Sequence, residues 1–334
     1  IGFDWASVLK RKNLIVKRLT GGVGMLLKKN GVTVIQGEAK VLENKDVLVD
    51  GKTYSAKNLI LSTGSSPLFP EIKGLKESYD SGFLKTNREL MDIDRVPETL
   101  VIIGGYITNI PIASIFAGFG TQATILENKK TLLPELDEDT RDVLMKSLKK
   151  SKINLYTETS VKSMGNQEVI YQNKYGESLS IKADTVLLSM DMKANTECFK
   201  ELKLKSAGGF ISVDKHLETS MKHVYAIGDV NGKMMLAHVA SHQALIAVNH
   251  ILGIDEEIDY DQVPQVVYGF PEIAYVGLSE QEAKKRQIEY KISKFPLQAN
   301  GRALAAGERE GFIKILAEPK YNQIIGVHIV AENA

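Results

Sequence analysis

A long apolar stretch, bounded by Glu98 and Glu127, contains no charged residue. Its pattern predicts a buried strand over 100–103, a glycine turn, an apolar helix over 107–117 and a second buried strand over 123–126. Parallel strands covered by helices are buried on both faces and are therefore apolar almost throughout. Length alone would also suit a membrane span, but glycines and a proline break the stretch. The pattern therefore favours a βαβ unit.

The turn of this βαβ unit departs from the G-x-G-x-x-G pattern of dinucleotide sites. Counted from Gly104, Tyr106 and Asn109 stand where the pattern has its second and third glycines. Those glycines let the diphosphate approach the backbone and let helix and strand pack closely. Pro111 removes an N–H early in the helix, and we expect its ring to clash there. Glu127, about 20 residues after the turn, stands where an acidic residue binds a ribose hydroxyl. The architecture predicts a nucleotide fold, and a βαβ unit that binds nothing is the alternative.

Periodicity and turn signals predict the remaining elements. An apolar stripe that ends at Asn30-Gly31 predicts one helix over 5–29. A charged, proline-containing connection is expected over 67–97. From about residue 259 the pattern changes to an α+β module on an antiparallel sheet. The other predicted strands are 32–35, 58–62, 153–156, 185–189, 224–229, 266–270, 273–276, 291–295, 311–317 and 323–330, with hairpins over 47–54 and 168–181, helices over 136–150, 196–202 and 235–252, and a capping box over 279–282.

Two segments repeat the same order of strand, hairpin and buried strand. The repeated strands read LILSTG at 59–64 and VLLSMD at 186–191, and their superposition places Asp191 over Gly64. Repeats indicate duplicated units, as two nucleotide domains of one design would give. A carboxylate at Asp191 would repel a pyrophosphate. Coincidence remains the alternative, because the repeat is short.

Composition narrows the function classes. The chain has 334 residues, enough for about two or three domains. Its net charge of +1, without a basic stripe, argues against a nucleic-acid partner. Cys198 is the only cysteine, which excludes an internal disulfide, fits a reducing compartment and predicts a buried filler. His238 and His242 share a helical spacing but lack a third ligand, so no metal site is predicted. The ends at Ile1 and Ala334 suggest an interior piece of a longer protein.

Taken in order, these motifs resemble the flavin disulfide reductases, and among them the dihydrolipoamide dehydrogenases rather than mercuric or glutathione-type reductases. The resemblance covers nearly the whole chain and rests on LTGGVGMLLKKNGV, LILSTGSSP, the βαβ unit, VYAIGDV, MLAHVA, PEIAYVGLSEQEAK, ANGRALA and GFIKILAEPKYNQIIGVHIV. It implies an α/β fold: a two-domain, FAD/NAD-binding Rossmann-like fold with three layers (ββα), joined to an α+β dimerisation domain. The implied divisions are 1–95 with 216–258 for FAD, 96–215 for NAD and 259–334 for dimerisation.

The resemblance also implies an activity. Dihydrolipoamide would reduce an enzyme disulfide, and electrons would pass through FAD to NAD. A cytoplasmic homodimer serving a 2-oxoacid dehydrogenase complex with lipoyl domains is expected. The implied FAD residues are Ala39, Thr63, Gly64, Ser65, Asp229, Met235, Leu236, Ala237 and His238. The implied NAD residues, in a degenerate site, are Gly104, Gly105, Tyr106, Asn109, Pro111, Glu127, Val161 and Asp191.

Several features that the resemblance requires are missing from these residues. The first FAD-binding βαβ motif and the C-x-x-x-x-C pair would precede Ile1, and the His–Glu base would follow Ala334, so no catalytic residue can be named. The departures from the pattern cluster at the NAD site: Tyr106, Asn109, Pro111, Asp191 and Met192. The hypothesis is that NAD binding is selectively lost. The alternatives are a non-catalytic scaffold on the same fold and another flavin disulfide reductase.

Overall fold

The computed structural model describes residues 2–189 and 191–334. The strands are β1 Ala39–Val41, β2 Val47–Val49, β3 Lys52–Tyr54, β4 Leu59–Leu61, β5 Ser65–Pro67, β6 Leu84–Lys85, β7 Thr99–Ile103, β8 Gln122–Leu126, β9 Asn154–Tyr156, β10 Ser160–Gly165, β11 Glu168–Gln172, β12 Ser178–Lys182, β13 Thr185–Leu188, β14 Met192–Ala194, β15 Ser206–Ala207, β16 Phe210–Ile211, β17 Val224–Ala226, β18 Gln265–Val267, β19 Glu272–Gly277, β20 Lys291–Pro296, β21 Phe312–Ala317 and β22 Ile324–Ala331. The helices are α1 Trp5–Lys29, α2 Leu75–Asp80, α3 Asn87–Leu90, α4 Asn109–Gly118, α5 Glu138–Lys150, α6 Ala237–Ile251, α7 Glu280–Lys285 and α8 Gly301–Ala306, and 3₁₀ turns lie at Glu197–Leu202, Gly228–Asn231, Tyr260–Gln262 and Leu297–Ala299.

The chain divides into two compact units. The first unit comprises Ile1–Trp5, Phe69–Met190 and Tyr260–Ala334, and the second comprises Ala6–Leu68 and Asp191–Asp259. The predicted domain ranges 1–95 with 216–258, 96–215 and 259–334 stay predictions. The assignment of FAD and NAD to particular ranges stays a prediction.

The first unit is built on a five-stranded sheet in the order β6-β13-β7-β8-β9, and its neighbouring strands are parallel. Alternate residues of β7 point to opposite faces. Leu100 and Ile102 join the core that contains α4 residues, whereas Val101 and Ile103 join the core that contains β11 residues. Helices therefore cover one face, and the antiparallel sheet β10-β11-β12 covers the other. The unit therefore has the predicted three-layer (ββα) arrangement, and it contains the predicted βαβ unit.

A second sheet of the first unit is antiparallel, in the order β18-β19-β22-β21-β20. It is the predicted α+β module, and Ser279 caps α7 by accepting the Glu282 N–H, as the capping box predicts. The module buries a cation: Lys314 is 1 % exposed and lies 3.0 Å from the Asp137 carboxylate. Because a buried charge is tolerated only when it is paired, this ion pair ties the start of α5 to β21.

The second unit contains shorter sheets. The strands β4 and β17 pair in parallel, β1, β2 and β3 form an antiparallel sheet, and β5 pairs antiparallel with β14. The predicted hairpin turns at Asp50 and Gly51, which have φ values of 46° and 80°. Leu61, Val224 and Ala226 form part of its core. The unit also holds most of α1, whose bounds match the prediction.

Some predicted elements are wrong in place or type. Residues 32–35 form no strand, although valine and isoleucine favour one, because no neighbouring strand pairs with them in the described part of the chain. The predicted connection over 67–97 instead contains α2, α3 and β6, and β6 pairs with β13. The predicted helix over 196–202 is a 3₁₀ turn with a kink at Phe199. These elements are too short for apolar periodicity to identify.

Both copies of the proposed repeat lie on parallel strands, since β4 pairs with β17 and β13 pairs with β7. Met190, within the second copy, lies outside the described residues. Across the described residues, no helix has both the length and the apolar character needed to cross a bilayer.

Candidate functional site

The predicted FAD residues of the second unit meet at the carboxyl ends of two parallel strands. Thr63, Gly64 and Ser65 follow β4, and Asp229 follows β17 in a 3₁₀ turn. Parallel strands in register end at the same edge, where α/β folds bind their ligands. The structure joins the two segments directly, because the Ser65 hydroxyl lies 3.0 Å from the Asp229 carboxylate and donates to it.

Gly64 presents an open backbone. Its φ is 70°, in the left-handed region that favours glycine, and a Cβ built there would meet no atom within 4 Å. A ligand can therefore approach the chain closely at Gly64. This is the property that a nucleotide cofactor needs at a strand end.

Asn195 holds this loop and was missed from the sequence. Its side-chain amide donates to the Thr63 carbonyl at 3.0 Å, and its N–H donates to the Gly64 carbonyl at 3.0 Å. Its own carbonyl accepts from the Thr63 hydroxyl at 2.7 Å, and its side-chain oxygen accepts from Ser66 at 2.7 Å. The available signal was an amide residue directly after the short strand β14. Asn195 fixes the loop by bonds to both backbone and side chains.

A buried glutamine supports the turn that carries Asp229. Gln243 of α6 is fully buried, and its side-chain oxygen accepts from the Gly228 N–H at 2.6 Å and from the Asn231 amide at 2.9 Å. Helix α6 therefore holds in place the turn that carries Asp229. The predicted FAD residues at the start of that helix are Met235, Leu236, Ala237 and His238. Of these, Leu236 is half-buried and the other three are exposed.

The second unit contains a cavity of about 1010 Å³. Ala39, one of the predicted FAD residues, lines it together with Asn195 and Cys198. Cys198 is half-buried rather than a fully buried filler, and burial raises the pKa of its thiol. The volume is at the upper end of the range for organic-ligand sites. The open backbone at Gly64 and the Asp229 carboxylate at the neighbouring strand end are the features that would suit an FAD.

The βαβ turn of the first unit is filled by its own side chains. Glu127 is 4 % exposed. Its carboxylate accepts from the Gly105 N–H at 2.6 Å and from the Lys129 N–H at 2.7 Å. A Cβ built on Gly105 would come within 2.7 Å of that carboxylate, and one on Gly104 would come within 2.9 Å of the Tyr106 ring. Side chains therefore crowd the backbone at both glycines of the turn.

Asn109 takes the place of the third glycine without disrupting the fold. The residue is completely buried, and its amide donates to the Gly104 carbonyl at 2.7 Å and to the Ser189 carbonyl at 3.1 Å. The amide thus links the ends of β7 and β13. The expected clash of Pro111 is wrong, because Pro111 is the third residue of α4. N–H groups in the first turn of a helix have no intrahelical partner, so proline is tolerated there.

The remaining predicted NAD residues are divided between the units. Val161 of β10 lines a cavity of about 100 Å³ together with Gly104 and Tyr106. Asp191 belongs to the second unit, where its carbonyl accepts from the Leu68 N–H at 2.8 Å. Across residues 2–189 and 191–334, no group of three His, Cys, Asp or Glu side chains is arranged to hold a metal ion.

The chain matches known protein families and curated relatives over most of its length. Residues 5–244 match the family described as pyridine nucleotide-disulphide oxidoreductase, and residues 263–334 match the dimerisation domain of that family. Dihydrolipoyl dehydrogenase of Acholeplasma laidlawii is 41% identical over 76% of this chain and 75% of its own length. Dihydrolipoyl dehydrogenase of Mycoplasma genitalium is 34% identical over 99% of this chain and 73% of its own length.

Solved structures share the fold. The HOCl-induced flavoprotein disulfide reductase RclA from Escherichia coli superposes with a TM-score of 0.88 at 23% identity, covering 98% of this chain and 76% of its own. LpdA from Mycobacterium tuberculosis superposes with a TM-score of 0.88 at 23% identity, covering 100% of this chain and 75% of its own. These likenesses confirm the predicted α/β fold class.

Proposed function

Because the chain belongs to the pyridine nucleotide-disulphide oxidoreductase family, we propose that it is the body of an FAD-dependent dihydrolipoyl dehydrogenase. The membership confirms the family predicted from the sequence motifs. The single observation that carries the FAD assignment is the loop after β4, where Asn195 holds the backbone in place while Gly64 stays open. The relatives named dihydrolipoyl dehydrogenase support the choice of a dithiol substrate.

In this proposal the chain's residues bind and orient the cofactor. Thr63, Gly64 and Ser65 would lie along FAD, and the Asp229 carboxylate would accept a hydrogen bond from one of its hydroxyl groups. Residues 235–238 would lie beside the flavin ring. Bound FAD supplies the two-electron chemistry, and the protein supplies position and electrostatics. With one cysteine, these 334 residues do not by themselves contain a redox disulfide.

The proposed assembly is a homodimer, and the match of residues 263–334 to the family's dimerisation domain supports it. The proposed setting is the cytoplasm, with a 2-oxoacid dehydrogenase complex as the source of dihydrolipoyl groups. The names of the relatives support dihydrolipoyl groups as the substrate.

The test measures bound flavin and its reduction. The full-length gene product is used, because flavin reduction by a dithiol passes through a disulfide that residues 1–334 do not contain. It is dialysed against FAD, and flavin absorbance is then followed under anaerobic conditions after addition of dihydrolipoamide or of reduced glutathione. We expect stoichiometric flavin and faster bleaching by dihydrolipoamide. Faster bleaching by glutathione would favour another flavin disulfide reductase. Failure to retain flavin would favour a non-catalytic scaffold on the same fold.

A further inference from the structure

We infer that the βαβ turn of the first unit does not accept a pyridine dinucleotide, because Tyr106, Asn109 and Glu127 occupy the space and the hydrogen-bond donors that the diphosphate would use. We call these three side chains the plug. The inference concerns the electron acceptor of the proposed function. It disagrees with the nicotinamide chemistry that the family's name implies, and it rests on the geometry of one turn.

Glu127 shows the first part of the disagreement. An acidic residue at this position is expected to bind ribose, with its carboxylate facing the ligand. Here both carboxylate oxygens are engaged by the chain, one by the Gly105 N–H and the other by the Lys129 N–H. The Gly105 N–H, which could otherwise bind a phosphate, is therefore already bound to the Glu127 carboxylate of the chain itself. A diphosphate would have to displace a buried carboxylate and would be repelled by it.

Asn109 shows the second part. A glycine there leaves room for the helix to approach the strands. The Asn109 amide fills that room and bonds to the carbonyls of Gly104 and Ser189. Because the residue is completely buried, opening the turn would leave these polar groups without partners. Asn109 thus fixes the turn in its closed form.

Tyr106 shows the third part. Its ring lies against the backbone of Gly104, and the Lys129 ammonium lies 5.7 Å from the ring centroid. The cavity that remains beside the ring holds about 100 Å³. Sites for drug-sized ligands measure roughly 300–1,000 Å³, and a dinucleotide is larger still. Pro111 also removes one of the N–H groups that a helix start offers to phosphate.

The second unit provides the comparison within the same chain. Gly64 also follows a parallel strand, yet a Cβ built there meets nothing within 4 Å. A Cβ on Gly105 would meet the Leu132 side chain at 2.2 Å and Glu127 at 2.7 Å. One strand-end glycine is open and the other is covered. Loss of nucleotide access is therefore local to the first unit.

The experiment is an NADH titration of the purified protein, followed by nicotinamide fluorescence. We expect no saturable binding, which corresponds to a Kd above about 1 mM. The triple variant Tyr106→Gly, Asn109→Gly, Pro111→Glu should bind at least about tenfold more tightly than the wild type. Thr108→Gly is the matched control, since it adds a glycine to the same turn at an exposed position and leaves the plug in place. This control should bind no better than the wild type.

Each result supports or overturns the inference. Saturable wild-type binding with a Kd below about 100 μM would overturn it. A folded triple variant that still fails to bind would overturn the assignment to these side chains. Should the triple variant not fold, hydrogen exchange of the wild-type Gly105 amide decides: protection by NADH contradicts the inference, and no change supports it. Flavin content, measured on the same samples, reports separately on the proposed function.

Discussion

Replacing Lys314 by methionine should destabilise the first unit strongly. The Lys314 ammonium is buried and lies 3.0 Å from Asp137, 3.2 Å from Asp139 and 2.5 Å from Glu280. The Asp137 side chain is 1 % exposed, so it cannot turn to water when the cation is lost. Methionine keeps most of the volume of the side chain and removes only its charge and its hydrogen bonds.

The magnitude follows from burial. Removing one partner of a buried ion pair costs about 3–5 kcal/mol, because the other charge stays buried without compensation. Lys294 provides a matched control, since it pairs with Asp139 at 2.7 Å but its side chain is 41% exposed. Exposed pairs contribute about 0–1 kcal/mol. We therefore expect Lys314→Met to cost several times more than Lys294→Met.

The assay is urea unfolding of both variants, read by circular dichroism with the slope m compared to that of the wild type. A loss below about 1 kcal/mol for Lys314→Met, at unchanged slope, would refute the idea that the buried charge is paired and needed. A loss of equal size in Lys294→Met would also refute it, because burial would then not be the deciding property.

The pH dependence of the free energy of unfolding tests the same ion pairs in a second way. Burial alone would raise the pKa of Asp139, but hydrogen bonds from Lys294 and Lys314 outweigh it and hold this pKa below its ordinary value. A carboxyl with a lowered folded-state pKa stabilises the fold above its unfolded pKa and loses that contribution as pH falls through the folded value. The difference between wild type and Lys314→Met should therefore be largest near neutral pH and shrink below about pH 4. A difference that grows in acid would contradict this account.

Three further predictions concern the second unit. Asn195→Ala should raise the Kd for FAD by about tenfold or more, measured by dialysis, whereas Ser66→Ala removes only one of the bonds and should have a smaller effect. Gln243→Leu should cost about 1–3 kcal/mol in urea unfolding, because the Gly228 N–H loses its buried acceptor; an unchanged midpoint would contradict this. Gly64→Ala should cost about 1–2 kcal/mol from its positive φ and weaken FAD binding through the added methyl; full FAD affinity would contradict the open-backbone argument.

The strongly patterned parts of the fold were predictable from the sequence. The βαβ unit was visible because parallel strands buried on both faces are apolar throughout, as Leu100 to Ile103 are. The antiparallel module was visible because its strands are long and its turns carry clear signals, such as Asn322 with a φ of 57°. Such elements can be predicted from residues that are close together in the sequence, without knowing their remote partners.

Other features depended on partners that are remote in the chain. Val34 and its apolar neighbours look like a strand but have no pairing strand in the described residues. Asn195 bonds to Thr63 across 132 positions, and the signal of a single amide is too weak to show this. The sequence identified Asn109 as a departure from the glycine pattern, but its bonds to Gly104 and Ser189 emerge only from the structure.

We propose that the loop after β4 is open to FAD, whereas the turn after β7 is closed to pyridine dinucleotides. Equilibrium dialysis of the purified protein against FAD and NADH together tests both halves on one sample. The account predicts that FAD is retained in proportion to the protein and that NADH is not retained above the buffer level. Retention of NADH with FAD, or of neither cofactor, would contradict it.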